Sequence, residues 1–398
     1  MLNIFQPMLG AEELDAVSQV FDSNWPGHGP RTKAFEAEFA AHLGVDPENV
    51  LFIASATAGL FLAGELLGLG AGDEVVLPSI SFVSAGNAIA ATGAQPVFCD
   101  VDPRTLNPTV TDVEGVLTSR TKAVLVLHYG GYPGEISAIS ALCRDRGIPL
   151  IEDAACAVAS SVGGKACGTF GDIGVWSFDA MKILVTGDGG MLCLRDGQLA
   201  RRARRLAYHG LEQANGFAAA KVSARWWELD VQDFGRRLIG NDLTAAIGSV
   251  QLRRLPRFVS RRREIVQLYD RLLAGVPGIR TLPSLPAGHR TSHYFYWVQL
   301  DPAIRDLVAT DLLANDIYTT FRYPPLHKVP AYRAAGALPA TDSAADATLL
   351  LPLHQGLDDT DVHTVADELR KAVDHRRREH LAGLDDHGTS RQLPDGKS

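Results

Sequence analysis

At 398 residues, with 46% apolar and 21% charged side chains, the chain has the composition of a folded protein of roughly two to three domain-sized units, long enough to bury a core without staples. Its formal net charge is −8, and no Lys/Arg stripe with interleaved aromatics offsets it, which argues against nucleic acid as a partner. No run of roughly 18 apolar residues could span a membrane, and Met1-Leu2-Asn3-Ile4-Phe5-Gln6-Pro7 lacks the basic and apolar regions of a signal peptide.

In chain order, helices come first. Leu14, Val17 and Phe21 fall at i, i+3 and i+7, and Phe35 and Phe39 at i and i+4, spacings that put apolar side chains on one helical face. Between them, Ser23-Asn24-Trp25-Pro26-Gly27-His28-Gly29-Pro30 is too rich in Pro and Gly to continue either helix. From Val50 to Cys193 short apolar runs recur, at 74–77, 96–99, 123–127, 149–151, 173–176 and 191–194. Such strands suit a sheet covered on both faces. Helix-like segments at 84–91 and 135–146 separate several of them, which predicts an α/β domain with a mostly parallel sheet.

A boundary is expected near Pro256. Beyond it Ile265, Leu268, Tyr269 and Leu272 mark an amphipathic helix, and its prefix Arg261-Arg262-Arg263 reads as a solvated face. Tyr294-Phe295-Tyr296-Trp297-Val298 reads as a strand, and Val362, Val365, Ala366 and Leu369 as a last helix. The predicted division is an N-terminal arm and large domain over 1–255, a smaller α+β domain over 256–372, and a polar, frayed tail over 373–398. The five cysteines form no CxxC pair, so neither zinc, nor any other metal, nor a disulfide framework is expected. Buried, reduced thiols of a cytoplasmic protein are.

Ligands of a mostly parallel sheet bind beyond the carboxyl ends of its strands. Glu152 and Asp153 follow 149–151, Ser177 and then Lys182 follow 173–176, Ser55-Ala56-Thr57-Ala58-Gly59 follows 51–53, and His128-Tyr129-Gly130-Gly131 follows 125–127. An acid, an amine and a small-residue turn entering a helix together suggest pyridoxal phosphate. Its aldehyde needs a lysine, its pyridine nitrogen a carboxylate, and its phosphate the amides of a helix start. A strand-end Asp also serves as a cap, and a lone Lys as a surface charge.

The segment Glu152-Asp153-Ala154-Ala155-Cys156-Ala157, with Gly168-Thr169-Phe170-Gly171-Asp172, Trp176-Ser177-Phe178, Lys182 and Gly187-Asp188-Gly189-Gly190-Met191, resembles the DegT/DnrJ/StrS family of pyridoxal-phosphate-dependent sugar aminotransferases. The likeness extends to 24–30, to Pro78-Ser79-Ile80-Ser81-Phe82-Val83 with Asn87, and to Pro324-Pro325-Leu326-His327. It implies the fold-type I plan, a large domain with a mixed, mainly parallel sheet and a smaller C-terminal α+β domain. Carried over residue by residue, Lys182 is the Schiff-base lysine and proton shuttle, its pKa lowered near the cofactor's positive charge. Asp153 pairs with the pyridinium nitrogen, Phe82 stacks on the ring, and Ala56, Thr57 and Ser177 hold the phosphate. Cys156 stands where the family often has Gln or His near the ring's phenolic oxygen, and a thiol is a weaker partner there.

The stretch from Gly235 to Ala246 resembles a family segment that reaches the neighbouring subunit's cofactor, with Arg237 and Asn241 as the contact residues. It implies a homodimer with shared active sites. His128, Tyr129, Tyr208, His209, Arg322, His327 and Trp25 are candidates for the substrate cleft, with His209 and His327 ranked first and Arg322 free to meet a donor carboxylate or a diphosphate. Family members that dehydrate instead carry His at the lysine position, which Lys182 argues against. The resemblance implies transfer of an amino group from L-glutamate, by way of pyridoxamine phosphate, to C4 of a nucleotide-linked 4-keto-6-deoxyhexose. A 3-keto sugar nucleotide, a keto-inositol, or a sensor that holds the cofactor without turnover are the alternatives.

Overall fold

The structure is a computed structural model that describes residues 1–211, 225, 227–334 and 336–388, with side chains described up to residue 382. Its strands are β1 (Val50–Ile53), β2 (Glu74–Pro78), β3 (Gln95–Cys99), β4 (Thr121–Leu127), β5 (Leu150–Asp153), β6 (Ser161–Val162), β7 (Lys165–Ala166), β8 (Ile173–Ser177), β9 (Gly190–Leu194), β10 (His289–Arg290), β11 (Tyr296–Gln299) and β12 (Thr348–Leu351). Its helices of more than one turn are α1 (Ala11–Asp22), α2 (Pro30–Leu43), α3 (Ala56–Leu66), α4 (Val83–Ala90), α5 (Val110–Glu114), α6 (Ile136–Arg146), α7 (Gly197–Ala207), α8 (Asp242–Leu273), α9 (Pro302–Ala314), α10 (Pro339–Ala347) and α11 (Asp359–Gly388).

Seven strands make the main sheet, in the order β1-β9-β8-β5-β4-β2-β3. β3, β2, β4, β5 and β8 run parallel, while β9 runs against both β8 and β1. Every residue of β1, β2, β5 and β9 is buried, as the unbroken apolar runs predict for a sheet covered on both faces. Val75 and Leu77 pack with Leu62, Ala85 and Ile89 of α3 and α4, whereas Val76 packs with Ile136 and Ile139 of α6. This is the period-two alternation of a strand. Phe35 and Phe39 of α2 close the β1 end, with ring centroids 5.1 Å (Phe35 to Phe52) and 5.4 Å (Phe39 to Trp176) apart.

A second core joins β11 and β12, an antiparallel pair, to α9, α11 and the end of α8. The expected break at Pro256 falls inside α8, a single helix of 32 residues. Its first half supplies Ala245, Leu255 and Phe258 to the main core, and its second half Ile265, Val266, Tyr269 and Leu273 to the second. Packing along the whole length overrides the proline, so the passage between cores lies between Phe258 and Ile265 and not at a loop.

Two sequence expectations need correction, and α1 turns its apolar face outward. On α1, Leu14 and Phe21 are 70% and 62% exposed; the inward side is Glu13 and Val20, with Glu13 accepting from Gln251 and Arg254 of α8. The frayed tail does not start at 373, because α11 runs to Gly388, buries Val373, and is tied to α9 by Arg376 bonding both oxygens of Asp311. Arg262 is not on a solvated face. It is buried, and its guanidinium donates to the carbonyls of His293 (2.7 Å), Tyr294 (2.8 Å) and Leu353 (2.9 Å) and to Oε1 of Gln355 (3.0 Å). A planar five-donor fork suits such a set of acceptors.

Candidate active site

The carboxyl edge of the main sheet gathers the sequence candidates. Asp153, the last residue of β5, is buried, and its Oδ1 accepts from the Ala155 amide at 3.1 Å. Burial pushes its carboxyl up, opposed by that amide and by Lys182 and His128 nearby. Lys182 lies in the 178–189 connection between β8 and β9, where a turn from Lys182 N to Asp179 O (2.8 Å) fixes its backbone. Its Nζ donates to the Tyr294 hydroxyl at 3.3 Å and sits 4.8 Å from that ring's centroid. Burial works against the ammonium, but Tyr294, Cys156 and Asp153 around it outweigh burial and hold the pKa above the usual lysine value. The lowered pKa expected from the sequence is therefore not produced by the protein's own groups.

The anion turn is built at the start of α3. Ser55 is its N-cap, with the hydroxyl accepting from Ala58 N at 3.1 Å. Ala56 and Thr57 follow in the first helical turn, where amides have no intrahelical acceptor. Gly190 lets the start of β9 pass hard against this turn: a Cβ there would stand 2.6 Å from Ala56 N and 2.7 Å from the Ser55 carbonyl carbon. Ser177 ends β8, opposite Gly190 in the ladder, and is half-buried. Phe82, the N-cap residue of α4, is 45% exposed at this edge, its ring 5.3 Å from that of Tyr323. An acid, an amine, an exposed aromatic face and a helix start with free amides are what an aromatic aldehyde phosphate requires. The residues fit that group.

Cys156 is buried and its thiol is pushed up to about 11, mainly by burial, with a hydrogen bond to Tyr323 acting the other way. Arg322 lies at the mouth, its guanidinium 3.5 Å from Sδ of Met181 and 5.0 Å from the Phe5 ring. Its carbonyl accepts from the buried Tyr129 hydroxyl. Among the described residues no carboxylate pairs with it. His128 is fully buried below the edge, Nε2 meeting Glu152 Oε2 at 2.9 Å, so it does not line a cleft. The same Glu152 accepts from the amides of Gly168 (2.7 Å) and Gly171 (2.6 Å), which fixes the loop that leads into β8.

The other candidates each have partners of their own. His327 is held from both sides, by Ser79 Oγ at 2.7 Å and Asp342 at 3.4 Å. His209 is exposed beside Tyr208, and Arg237 is exposed with its guanidinium 5.6 Å from the Tyr208 ring. Asn241 caps α8 by accepting from Thr244 N at 3.1 Å. The 237–241 stretch runs along β1, with Leu238 O accepting from Ala54 N (2.7 Å) and Gly240 N donating to Phe52 O (3.0 Å). Trp25 is 54% exposed and donates to the His28 carbonyl. Sequence reasoning missed Tyr294 and Tyr323 as site residues. The aromatic-rich run from Tyr294 to Val298 is the available signal, but it reads as one strand, whereas the strand begins at Tyr296 and leaves Tyr294 before it.

Fold and site together define an aminotransferase of the α/β class. The chain belongs to the DegT/DnrJ/EryC1/StrS aminotransferase family, whose model matches residues 7–370. It is 67% identical over 375 residues to a dTDP-4-dehydro-2,3,6-trideoxy-D-glucose 4-aminotransferase of Saccharopolyspora spinosa, covering 94% of this chain and 97% of that one. Among solved structures it is similar to the aminotransferase TlmJ of Streptoalloteichus hindustanus, with 61% identity, a TM-score of 0.90, and coverage of 96% and 100% of the two chains. The sugar aminotransferase CalS13 of Micromonospora echinospora matches with 29% identity, a TM-score of 0.85, and coverage of 93% and 100%.

Proposed function

We propose that this protein uses pyridoxal phosphate to transfer an amino group from L-glutamate to C4 of a nucleotide-linked 4-keto-6-deoxyhexose. A dTDP-linked 2,3,6-trideoxy sugar is the first candidate substrate, by likeness to the relative of 67% identity. The observation that carries the reading is the meeting of Lys182, Asp153 and the Ser55–Thr57 helix start on one sheet edge. When bound, the cofactor supplies an aldehyde that accepts the amino group and a ring that draws electrons from the donor's α-carbon.

The chain's own residues do the rest. Asp153 would hold the ring nitrogen protonated, Phe82 would cover one face, and Ala56, Thr57 and Ser177 would hold the phosphate. Lys182 would hold the aldehyde carbon and, once released, carry a proton from the donor's α-carbon; in the second half-reaction the sequence reverses with the ketosugar. Arg322, an arginine with no carboxylate partner among the described residues, would meet the donor carboxylate or the diphosphate.

Assembly is part of the reading. Phe21, Leu14 and Trp25 are exposed, and so are Leu229, Val231 and Phe234 close before Arg237. Side chains of this kind are what a contact between two copies would cover. They support a homodimer in which Arg237 and Asn241 serve the partner's site. The five buried, unpaired thiols support a reducing, cytoplasmic setting.

The test is direct. Incubation with L-glutamate and a panel of keto-sugar nucleotides should give 2-oxoglutarate and a new C4 amine located by NMR. Lys182→Ala should abolish both this turnover and the visible absorption band that added pyridoxal phosphate produces. Nitrogen found only at C3 would refute the C4 assignment, and a protein that takes up no cofactor would refute the mechanism.

A further inference from the structure

Tyr294 is the one side chain to which Lys182 Nζ donates a hydrogen bond among the described residues, and no motif points to it. Its hydroxyl is 3.3 Å from Nζ and 3.4 Å from the Met181 carbonyl, so it can accept from an ammonium while donating to the main chain just before the lysine. A hydroxyl can equally rotate and donate to a neutral amine. Donating to a neutral amine would cost the phenol its bond to the Met181 carbonyl, so the arrangement favours the ammonium. The ring is fixed on several sides. It stacks on Phe5 with centroids 5.6 Å apart, contacts Phe295 at 4.5 Å, and its amide donates to Gly130 O at 3.0 Å.

Arg262 completes the arrangement from α8. It donates to the carbonyls of His293 and Tyr294, and the same guanidinium also binds Leu353 O and Gln355. No carboxylate pairs with it among the described residues. A buried arginine whose acceptors are mostly main-chain carbonyls acts as a bracket for that backbone. We propose that Tyr294 is a positioning residue that holds the Lys182 amine and favours its ammonium form, and that Arg262 sets where that phenol stands. The inference deepens the proposed function, since it concerns the same lysine.

Other groups face Lys182 as well. Asp153 comes from the end of β5, Cys156 from the turn after it with Tyr323 behind, and Arg322 lies beyond Met181. His128 acts on Asp153 from β4. Among the described residues only Tyr294 combines a hydrogen bond with a ring face toward Nζ.

The test compares wild type with Tyr294→Phe, which keeps the ring and removes the hydroxyl. In protein freed of cofactor, the pH dependence of acylation at Lys182, located by peptide mapping, reads the lysine's titration. The midpoint should fall by about one unit in Tyr294→Phe, since a hydrogen bond to the charged form is lost and water replaces only part of it. In loaded enzyme the released Lys182 amine loses the bond that places it, so kcat of the glutamate half-reaction should fall on the order of tenfold while KM for the sugar stays unchanged. Arg262→Lys should move the midpoint the same way by less, and Arg262→Lys/Tyr294→Phe should move it no further than Tyr294→Phe alone. An unshifted midpoint in Tyr294→Phe overturns the proposal, whether or not the protein takes up cofactor. A shifted midpoint supports it, even in a protein that forms no visible band, which would count against the functional reading alone.

Discussion

The sharpest prediction concerns Gly190→Ala. A Cβ at this position would meet Ala56 N at 2.6 Å, the Ser55 carbonyl carbon at 2.7 Å and Trp176 O at 2.9 Å, where ordinary contact begins near 3.4 Å. All three are main-chain atoms, so no rotamer change relieves the clash. The turn at the start of α3 has to retreat by about 0.8 Å, the difference between 2.6 and 3.4 Å. Overpacking of this kind costs about 1–3 kcal/mol of stability. The larger consequence falls on the anion turn, because the displaced atom is the amide assigned to the phosphate. Losing one hydrogen bond to a charged group, at about 1.5–3 kcal/mol, weakens pyridoxal phosphate binding on the order of tenfold to a hundredfold. Titrating cofactor-free protein with pyridoxal phosphate and with phosphate-free pyridoxal, followed by absorbance, separates the two effects. Gly190→Ala should lose affinity for the first and little for the second. Gly70→Ala, with nothing within 4 Å of the new methyl, is the control that should change neither. Wild-type affinity for pyridoxal phosphate in Gly190→Ala would refute the assignment of this turn.

Two further outcomes follow from buried polar groups. Glu152→Ala strands the amides of Gly168 and Gly171 and the His128 ring nitrogen, all in a fully buried setting. At about 1–3 kcal/mol for each unsatisfied group, urea unfolding should show a loss of roughly 3 kcal/mol or more, and a loss below about 1 kcal/mol would contradict the network. His293 and His354 have pKa values pushed down to about 4, mainly by burial, with the Arg262 guanidinium adding to it. The folded state thus binds fewer protons than the unfolded state between the ordinary histidine value and 4. Stability from these groups is fully present above about pH 6.5 and is lost as pH falls toward the folded value. The urea midpoint should decline through that window, with a shallower decline in His354→Gln; equal slopes in the two proteins would remove His354 from the account.

What the sequence made legible, and what it hid, divides along physical lines. Strands buried on both faces declare themselves as apolar runs, so β2, β4, β5, β8 and β9 were all visible. The polar residues that follow such runs, Asp153 and Ser55 among them, were visible with them. Arg262 was hidden because a buried arginine satisfied by carbonyls has the same spelling as a solvated one; its acceptors lie 31 to 93 residues away. Leu14 and Phe21 show the converse. Helical periodicity reports an apolar face, but not whether the chain itself covers it. Tyr294 stayed hidden because its role depends on Lys182, 112 residues away.

The placement of Lys182 follows from the one strand that breaks the parallel pattern. Had β9 run parallel to β8, the chain leaving Ser177 would have had to cross to the far end of the sheet before returning. Because β9 is antiparallel, with Ser177 opposite Gly190, the whole connection from 178 to 189 stays at the carboxyl edge. β9 then pairs with β1 in the opposite sense, Ile53 facing Gly190, so the end of β1 and the turn at Ser55 arrive beside that connection. One reversal therefore brings together the lysine loop, the anion turn and, across β8, the carboxylate of Asp153 at the end of β5. Gly190 stands at the crossing of these paths, where the backbones approach too closely for a side chain. The reversed strand and the glycine at its start are two parts of one device that builds the site from segments more than a hundred residues apart.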